Sequence, residues 1–199
     1  MNYYILGICV FCAIIIHELG HLIASKRAKC KVDVFSIGFG KPIFRLKYKG
    51  TYYQLCWILL GGYCSLEGEM EYSKKPTALM NLGYLRKLYI ILAGIGANCL
   101  SAIFAFGLFV MFNIDAFYLF GMISILLGLS NLIPVPALDG SYPFLFLTEK
   151  VFGKKDGVKI RKRAIEIGML IINTLNIICI VYLIYYFRMN ILAFLVKLW

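Results

Sequence analysis

The stretch that decides the fold of this chain is residues 3–24, which read YYILGICVFCAIIIHELGHLIA. Its first part carries no charge, and HELGH at residues 17–21 contains both histidines of the chain. About 20 apolar residues are enough for a helix to cross a lipid bilayer. Residues four apart lie on one helix face, so His17 and His21 can bind one metal ion while Glu18 reaches a water molecule on it. The sequence therefore predicts a membrane-embedded helix that carries a metal site.

Composition indicates that this helix is one of several. The chain has 199 residues, of which 61% are hydrophobic, and a mean hydropathy of +0.81. Apolar residues make up roughly half of an ordinary globular domain. We therefore expect one polytopic α-helical membrane domain over residues 1–199, with about four transmembrane helices. The predicted spans are residues 3–24, 88–112, 116–133 and 167–187, and the second and third form a tight antiparallel pair.

The distribution of charge predicts the orientation of these spans. The formal net charge is +11, which in a soluble protein would suggest nucleic-acid binding. Here every Lys and Arg except Arg188 and Lys197 lies between the first and second spans or between the third and fourth. Basic loops stay on the cytoplasmic side of a membrane, where they also meet acidic lipid headgroups. We expect an integral membrane protein with its N-terminus outside, its basic loops in the cytoplasm, membrane lipids as partners and no nucleic-acid partner.

A small membrane-associated β-sheet is predicted for residues 32–66, after the first helix. Residues 45–49 alternate between polar and apolar, Lys49-Gly50 is a turn signal, and residues 51–58 form the next strand. The paired glycines at residues 61–62 are expected to end that strand, and residues 67–87 are expected to form a polar surface loop. The alternative is an amphipathic hairpin that is anchored on lipid and has no role in chemistry.

A catalytic zinc site needs a third protein ligand, and the chain has no further histidine. Asp139 follows a segment that two prolines, Pro134 and Pro136, prevent from being helical. Irregular backbone at membrane depth is tolerated only where it is buried in protein or lines a wet cavity, and an acid there is a candidate functional residue. Asp139 is therefore the candidate third ligand. The alternative is that Asp139 caps the end of the broken helix.

These motifs resemble those of the site-2 protease family of intramembrane zinc metalloproteases. The resemblance covers most of the chain and is carried by residues 17–21, 36–40, 61–63 and 131–140. It implies a Zn²⁺ cofactor held by His17, His21 and Asp139, with Glu18 as the general base. It also implies that Asn131 binds the substrate backbone near the metal.

One segment departs from the family pattern. Residues 93–98 resemble the place where relatives carry Gly-Pro-x-x-Asn, but Ile95 replaces the proline. Asn98 is the substrate-binding candidate that the resemblance gives here. The alternative is packing, because Ala93 and Ala97 belong to a small-xxx-small row that lets helices approach closely.

The resemblance implies cleavage of peptide bonds in or near transmembrane segments. A helical substrate must unwind to expose its amides, and we expect a strand edge at Tyr53 and Leu55 to pair with the extended segment. Expected partners are a single-span membrane protein or a signal peptide, together with a regulatory membrane partner. The expected location is a bacterial cell membrane, with the active site toward the cytoplasm.

The resemblance also predicts a minimal core, without the peptide-binding or nucleotide-sensing domain of some relatives. Two jobs stay open for such a protease, namely regulated intramembrane proteolysis and the processing of signal peptides or peptide precursors. The rival function is a non-catalytic zinc-binding membrane protein or metal carrier. A carrier would usually place further ligands in other spans.

Overall fold

The structure is a computed structural model that describes residues 3–197, apart from the side chains at positions 60, 176, 179, 180, 183, 184 and 186–197. The main elements are α1 (Tyr3–Arg27), β1 (Val32–Tyr48), β2 (Thr51–Leu66), α2 (Tyr84–Phe112), α3 (Asp115–Ser130) and α4 (Tyr142–Lys197). Short 3₁₀ turns cover Leu79–Asn81 and Asp139–Ser141. The long helix α4 bends at Gly153, whose φ of 79° and ψ of 164° are not helical.

Two helices of the described chain, α1 and α2, are long and apolar enough to cross a membrane. They coincide with the first and second predicted spans. The apolar helix α3 has 16 residues and rises about 24 Å, which is less than the ~30 Å of a hydrocarbon core. It ends at Ser130, before the predicted end at residue 133, because the residue that precedes Pro134 is disfavoured from helical geometry. The predicted fourth span, residues 167–187, lies within α4.

The predicted β-region is present at residues 32–66, as two antiparallel strands. Lys49 and Gly50 join them with positive φ angles of 47° and 80°, which suit a two-residue hairpin turn. Residues 34–37 of β1 have partners in two parts of β2, residues 52–55 and residues 62–65. The strands therefore bend back on themselves and form a compact sheet beside α1.

The glycine pair at residues 61–62 does not end β2, contrary to the prediction. The strand continues to Leu66 because these glycines permit close contacts instead of a turn. A Cβ on Gly62 would lie 2.8 Å from the carbonyl oxygen of Ser36, and one on Gly61 would lie 2.3 Å from the ring of Phe39.

Helices α1 and α2 pack closely because both carry small residues where they meet. A Cβ on Gly20 of α1 would lie 2.4 Å from the carbonyl oxygen of Ala93 and 2.8 Å from the Cβ of Ala97. The close packing predicted for the small-residue row of α2 is thus confirmed at Ala93 and Ala97. Without a Cβ at Gly20, the two backbones approach to a distance that no other residue would allow.

The segment between β2 and α2 is only in part the polar surface loop that the sequence predicts, since residues 70–72 and 74–76 are exposed but its two ends are buried. Leu79 and Met80 are buried, and so is the side chain of Glu67. The reason is Arg161 of α4, which is 0% exposed and donates from Nε to the carbonyl oxygen of Glu69 at 3.1 Å. Nη2 of the same side chain donates to the carbonyl oxygens of Glu69 at 2.6 Å and Gly68 at 3.2 Å. The loop is therefore folded onto α4.

Arg161 also belongs to a buried group of three charges. Its guanidinium pairs with Glu149, and the ammonium of Lys87 pairs with the other carboxylate oxygen. All three side chains are less than 9% exposed. Removing one member of a buried charge group leaves its partners without compensation, so the group fixes the loop, the start of α2 and α4 relative to one another.

We expect Arg161→Met to destabilise the protein by about 3–5 kcal/mol, because it leaves one oxygen of Glu149 and two loop carbonyls without their donor. The midpoint of thermal unfolding of the purified protein in detergent measures this loss. Arg163→Met is the matched control, since Arg163 is exposed on the same helix and its replacement should cost within about 0.5 kcal/mol. Equal midpoints for the two variants would contradict the proposed role of Arg161.

Candidate metal centre and cavity

Three side chains meet at one point beside the sheet. His17 and His21 lie one helical turn apart on α1, and Asp139 reaches them from the 3₁₀ turn that precedes α4. The Oδ2 atom of Asp139 lies 3.0 Å from Nε2 of each histidine, and the two Nε2 atoms lie 3.2 Å apart. Both histidines are buried and the Asp139 side chain is 16% exposed. The three predicted ligands are thus brought together, although they come from positions about 120 residues apart in sequence.

The spacing of these donor atoms fits a zinc ion. Ligand atoms that sit 2.0–2.1 Å from zinc at tetrahedral angles lie about 3.3 Å from one another. The observed separations of 3.0–3.2 Å match that value closely. Two imidazoles and one carboxylate are also a donor set of catalytic zinc sites, which leave a fourth position open.

Helix α2 forms the floor of this centre. A Cβ on Gly94 would lie 2.3 Å from Nε2 of His21 and 2.9 Å from Cε1 of His17, so both rings rest directly on the glycine. The carbonyl oxygen of Ile90 lies 2.9 Å from Nδ1 of His21. A carbonyl oxygen only accepts hydrogen bonds, so Nδ1 of His21 carries the proton. Its Nε2 is then unprotonated and offers its lone pair to a metal ion.

The segment that carries Asp139 is held by close backbone contacts. The N–H of Gly140 donates to the carbonyl oxygen of Asn131 at 2.6 Å, and a Cβ on Gly140 would lie 2.2 Å from the carbonyl oxygen of Leu132. Gly168 of α4 packs on Pro136 in the same way, with a Cβ–oxygen separation of 1.9 Å. The side-chain hydrogen bonds of Asp139 in the described chain go to the two histidines, so it does not cap a helix end.

The centre opens into a cavity of about 500 Å³. Glu18 lines it, next to the metal ligands, and forms no hydrogen bond within residues 3–197. Gly62 lies against it, since a Cβ there would sit 3.1 Å from Cγ of Glu18. All four helices and both strands contribute to the cavity walls, α2 only through its N-terminal half. The lining residues include Ile14, Phe39, residues 61–64, Leu66, Glu69, Ile90, Ile91, Leu127, Asn131, residues 137–139, Tyr142, Met169 and Ile172. Because the Glu18 carboxylate has no hydrogen-bond partner among the described residues of the cavity, it can exchange protons with a bound reactant.

The two asparagines predicted to bind substrate lie in different places. Asn131 ends α3 and lines the cavity, where its Nδ2 donates to the carbonyl oxygen of Leu127 at 3.0 Å. Asn98 is 0% exposed and lies behind His17, with its Nδ2 at 3.3 Å from Nδ1 of that ring. Asn98 does not line the cavity, so a substrate would not reach it. The structure thus places Asn98 behind a metal ligand and not on the cavity wall, where the substrate-binding prediction would have it.

Tyr53 and Leu55, predicted to form a free strand edge, are not at an edge in the structure. Both residues have strand neighbours on two sides, from residues 35–37 and residues 44–46. Neither lines the cavity. Phe39, residues 61–64 and Leu66 of the sheet do so, and within them residues 62–64 pair with β1 on one side. Because residues 34–37 of β1 pair with two parts of β2, the free edge lies at residues 62–64. The strand pattern in the sequence does not predict this double pairing.

A third carboxylate in the cavity, besides Glu18 and Asp139, was not predicted. Glu69 lines the wall, where it accepts hydrogen bonds from the hydroxyl of Tyr142 at 2.5 Å and from the N–H of Leu66 at 3.1 Å. Burial raises the pKa of the Glu69 carboxyl, although both donors favour its charged form. Burial and the neighbouring Glu69 carboxylate raise the pKa of Tyr142. The sequence offers no signal for this pair, because the two residues are 73 positions apart in segments of different composition.

Comparisons with known proteins agree with this chemistry. The family model described as "Peptidase family M50" matches residues 4–116 and 113–175. The chain is 40% identical over 98 residues to a protein of Campylobacter jejuni, and 38% identical over 110 residues to one of Borreliella burgdorferi. Both relatives carry the name "Putative zinc metalloprotease". These matches cover 47% and 50% of the chain, and 27% and 25% of the relatives.

A third relative carries a more specific name. The chain is 36% identical over 124 residues to the "Regulator of sigma E protease" of Haemophilus influenzae, a match that covers 60% of the chain and 26% of the relative. The chain thus spans about a quarter of the length of these curated relatives.

We expect Gly94→Ala to weaken zinc binding by about tenfold or more, because the new methyl group would displace both imidazole rings from their positions. Gly96→Ala is the matched control. It adds the same methyl group to the same helix, with nothing within 4 Å of it. Zinc dissociation constants measured by competition with a chromophoric chelator give the comparison. Equal constants for the two variants would show that Gly94 does not support the rings.

Proposed function

The chain belongs to peptidase family M50, and we propose that it is a zinc-dependent endopeptidase that cleaves peptide bonds in or near the transmembrane segments of membrane proteins. The observation that carries the proposal is the joint placement of two histidines, one aspartate and a partner-free glutamate at one cavity. The helices α1 and α2, which are apolar enough to cross a bilayer, support a site at membrane depth.

The geometry supports a separate role for each residue of the site. When bound by His17, His21 and Asp139, zinc supplies an electrophile that polarises the scissile carbonyl and acidifies a water molecule. Glu18, free of hydrogen-bond partners in the cavity, accepts the proton of the attacking water and returns it to the leaving amine nitrogen. Asn131 lines the same cavity, where its side-chain oxygen can accept a hydrogen bond from the substrate backbone.

The sheet offers a surface for an unwound substrate. A transmembrane helix satisfies its amides internally, so the segment that is cut must become extended and find new partners. Residues 62–64 pair with β1 on one side and line the cavity beside Glu18. An extended substrate that adds to this edge would have its backbone hydrogen-bonded and its scissile bond near the metal centre.

We further propose four membrane spans, with α3 and residues 167–187 of α4 as the third and fourth. The basic residues between the first and second spans and between the third and fourth support an orientation with both loops in the cytoplasm and the N-terminus outside. The same loops favour acidic lipid headgroups. The bacterial origin of the relatives supports a bacterial cell membrane as the location.

The proposed substrates are single-span membrane proteins or signal peptides, because each presents one apolar helix that can enter from the bilayer. The name of the Haemophilus influenzae relative supports regulated intramembrane proteolysis. The processing of signal peptides or peptide precursors would use the same site and is the alternative function. A regulatory membrane partner would decide when a substrate reaches the cavity.

A non-catalytic zinc-binding protein or metal carrier is the rival function. Such a protein has no use for an unpaired carboxylate beside its metal ligands, and a carrier needs further ligands along a path through the membrane. Within the described residues, one cluster of metal-ligand type is present, His17 with His21 and Asp139. The single cluster therefore favours the peptidase over the carrier.

We expect Glu18→Gln to keep zinc and to lower cleavage by about 10²-fold or more, because the amide cannot accept the proton of the attacking water. Membrane proteomics of cells with the wild type or with Glu18→Gln measures the effect on substrates, and metal analysis of both purified proteins measures zinc. Single-span proteins or signal peptides should accumulate in the variant.

The matched control is Glu71→Gln, which removes an exposed carboxylate outside the cavity and should leave the proteome unchanged. Identical proteomes for the wild type and the Glu18→Gln protein would contradict the proposed protease. Zinc uptake into vesicles that contain the Glu18→Gln protein would support the carrier instead.

We expect Asp139→Ala to lower the zinc content of the purified protein well below one ion per chain, because two histidines alone leave the ion with one protein ligand too few. Metal analysis after dialysis against buffer without zinc gives the stoichiometry. An unchanged content would remove Asp139 from the ligand set while leaving both histidines in place.

A further inference from the structure

The two ring nitrogens of His17 face different neighbours. Nε2 lies in the metal centre, 3.0 Å from Oδ2 of Asp139 and 3.2 Å from Nε2 of His21. Nδ1 points the opposite way, toward α2, and lies 3.3 Å from Nδ2 of Asn98. A neutral imidazole carries its proton on one nitrogen only, so a metal on Nε2 requires the proton on Nδ1. A buried N–H of this kind needs an acceptor.

Among the described residues, Asn98 is the only one whose side chain hydrogen-bonds with Nδ1 of His17. It is 0% exposed, and its Oδ1 is buried without a hydrogen-bond partner among the described residues. With Nδ2 toward the ring, Asn98 donates to Nδ1, which places the histidine proton on Nε2, where it would block the metal. Rotation of the amide by 180° exchanges the two atoms and turns Oδ1 into the acceptor for Nδ1–H.

The second histidine shows the same arrangement with a backbone group. Nδ1 of His21 lies 2.9 Å from the carbonyl oxygen of Ile90, which fixes its proton on Nδ1. Helix α2 would thus provide one acceptor for each metal-binding histidine. Gly128 of α3 lies against Asn98, since a Cβ there would sit 3.4 Å from the Asn98 Cβ, and this contact holds Asn98 at the α1 interface.

We propose that Asn98 is a positioning residue: its Oδ1 accepts the Nδ1 proton of His17, and so fixes the tautomer and the ring orientation that present Nε2 to zinc. The inference rests on the zinc centre of the proposed function and assigns Asn98 no contact with substrate. Groups that orient metal-binding histidines typically change metal affinity by about 10–100-fold when they are replaced.

Two replacements of similar size separate the acceptor role from packing. Asn98→Leu removes the acceptor, and we expect it to weaken zinc binding about 10–100-fold. Asn98→Asp keeps an oxygen toward Nδ1 in either rotation, and its zinc affinity should stay within a few-fold of the wild type. The readouts are the Zn²⁺ dissociation constant, from competition with a chromophoric chelator, and the visible absorption spectrum of the Co²⁺-substituted protein. The spectrum should change for the leucine variant and persist for the aspartate variant.

Ser124→Ala is the matched control. Ser124 is also 0% exposed, and its hydroxyl has no hydrogen-bond partner among the described residues, so its removal tests the loss of a buried polar group away from the metal centre. Its zinc affinity should equal that of the wild type. If Asn98→Leu does not fold, Asn98→Ala takes its place, because it removes the acceptor without adding volume.

Wild-type affinity and spectrum in the leucine or alanine variant would overturn the proposal. Equal losses in the leucine and aspartate variants would also overturn it, because packing alone would then account for Asn98. Both readouts are taken without substrate. A zinc-loaded wild type that cleaves nothing would therefore contradict the proposed peptidase and leave the result for Asn98 intact.

Discussion

The close contact between α1 and α2 is the constraint on which the rest of the structure depends. Gly20 on α1 meets Ala93 and Ala97 on α2, and Gly94 on α2 lies directly beneath both imidazole rings. A side chain at either glycine would push the helices apart, since the nearest atoms lie 2.3–2.4 Å from the added Cβ. The same contact brings the Ile90 carbonyl and the Asn98 amide of α2 to the outer nitrogens of the histidines, so the packing of the two helices also positions the metal ligands.

The position of the third ligand, Asp139, depends on the irregular segment that carries it. Asp139 lies in irregular chain between α3 and α4, where the prolines prevent a helix and the backbone must find partners elsewhere. The N–H of Gly140 donates to the carbonyl oxygen of Asn131, and the absence of a Cβ at Gly140 and Gly168 allows close packing on Leu132 and Pro136. The buried charges around Arg161 hold the loop that carries Glu69, another residue of the cavity wall. Both segments contribute residues that line the cavity, Asp139 from one and Glu69 from the other.

Much of the site was predictable because local spacing determines it. HELGH at residues 17–21 fixes two ligands and a base on one helix face, and the turn at Lys49-Gly50 fixes the hairpin. The fold-back of β1 was not predictable, since a strand pattern does not say which part of a long hairpin pairs twice. Asn98 was assigned to the substrate because sequence position alone does not say which way a buried amide turns. The burial of Arg161 within a basic stretch depends on Glu149 and on carbonyl groups from a distant loop.

The coordination of zinc in the purified protein tests the central claim most directly, and X-ray absorption at the zinc edge measures it. The account predicts two imidazole nitrogens and the remaining ligands as oxygens, at about 2.0–2.2 Å, with no sulfur. Cys64 lines the cavity, so a zinc site that used its thiolate would leave a distinct signal. Scattering from sulfur at about 2.3 Å, or from a single imidazole, would contradict a centre built by His17, His21 and Asp139.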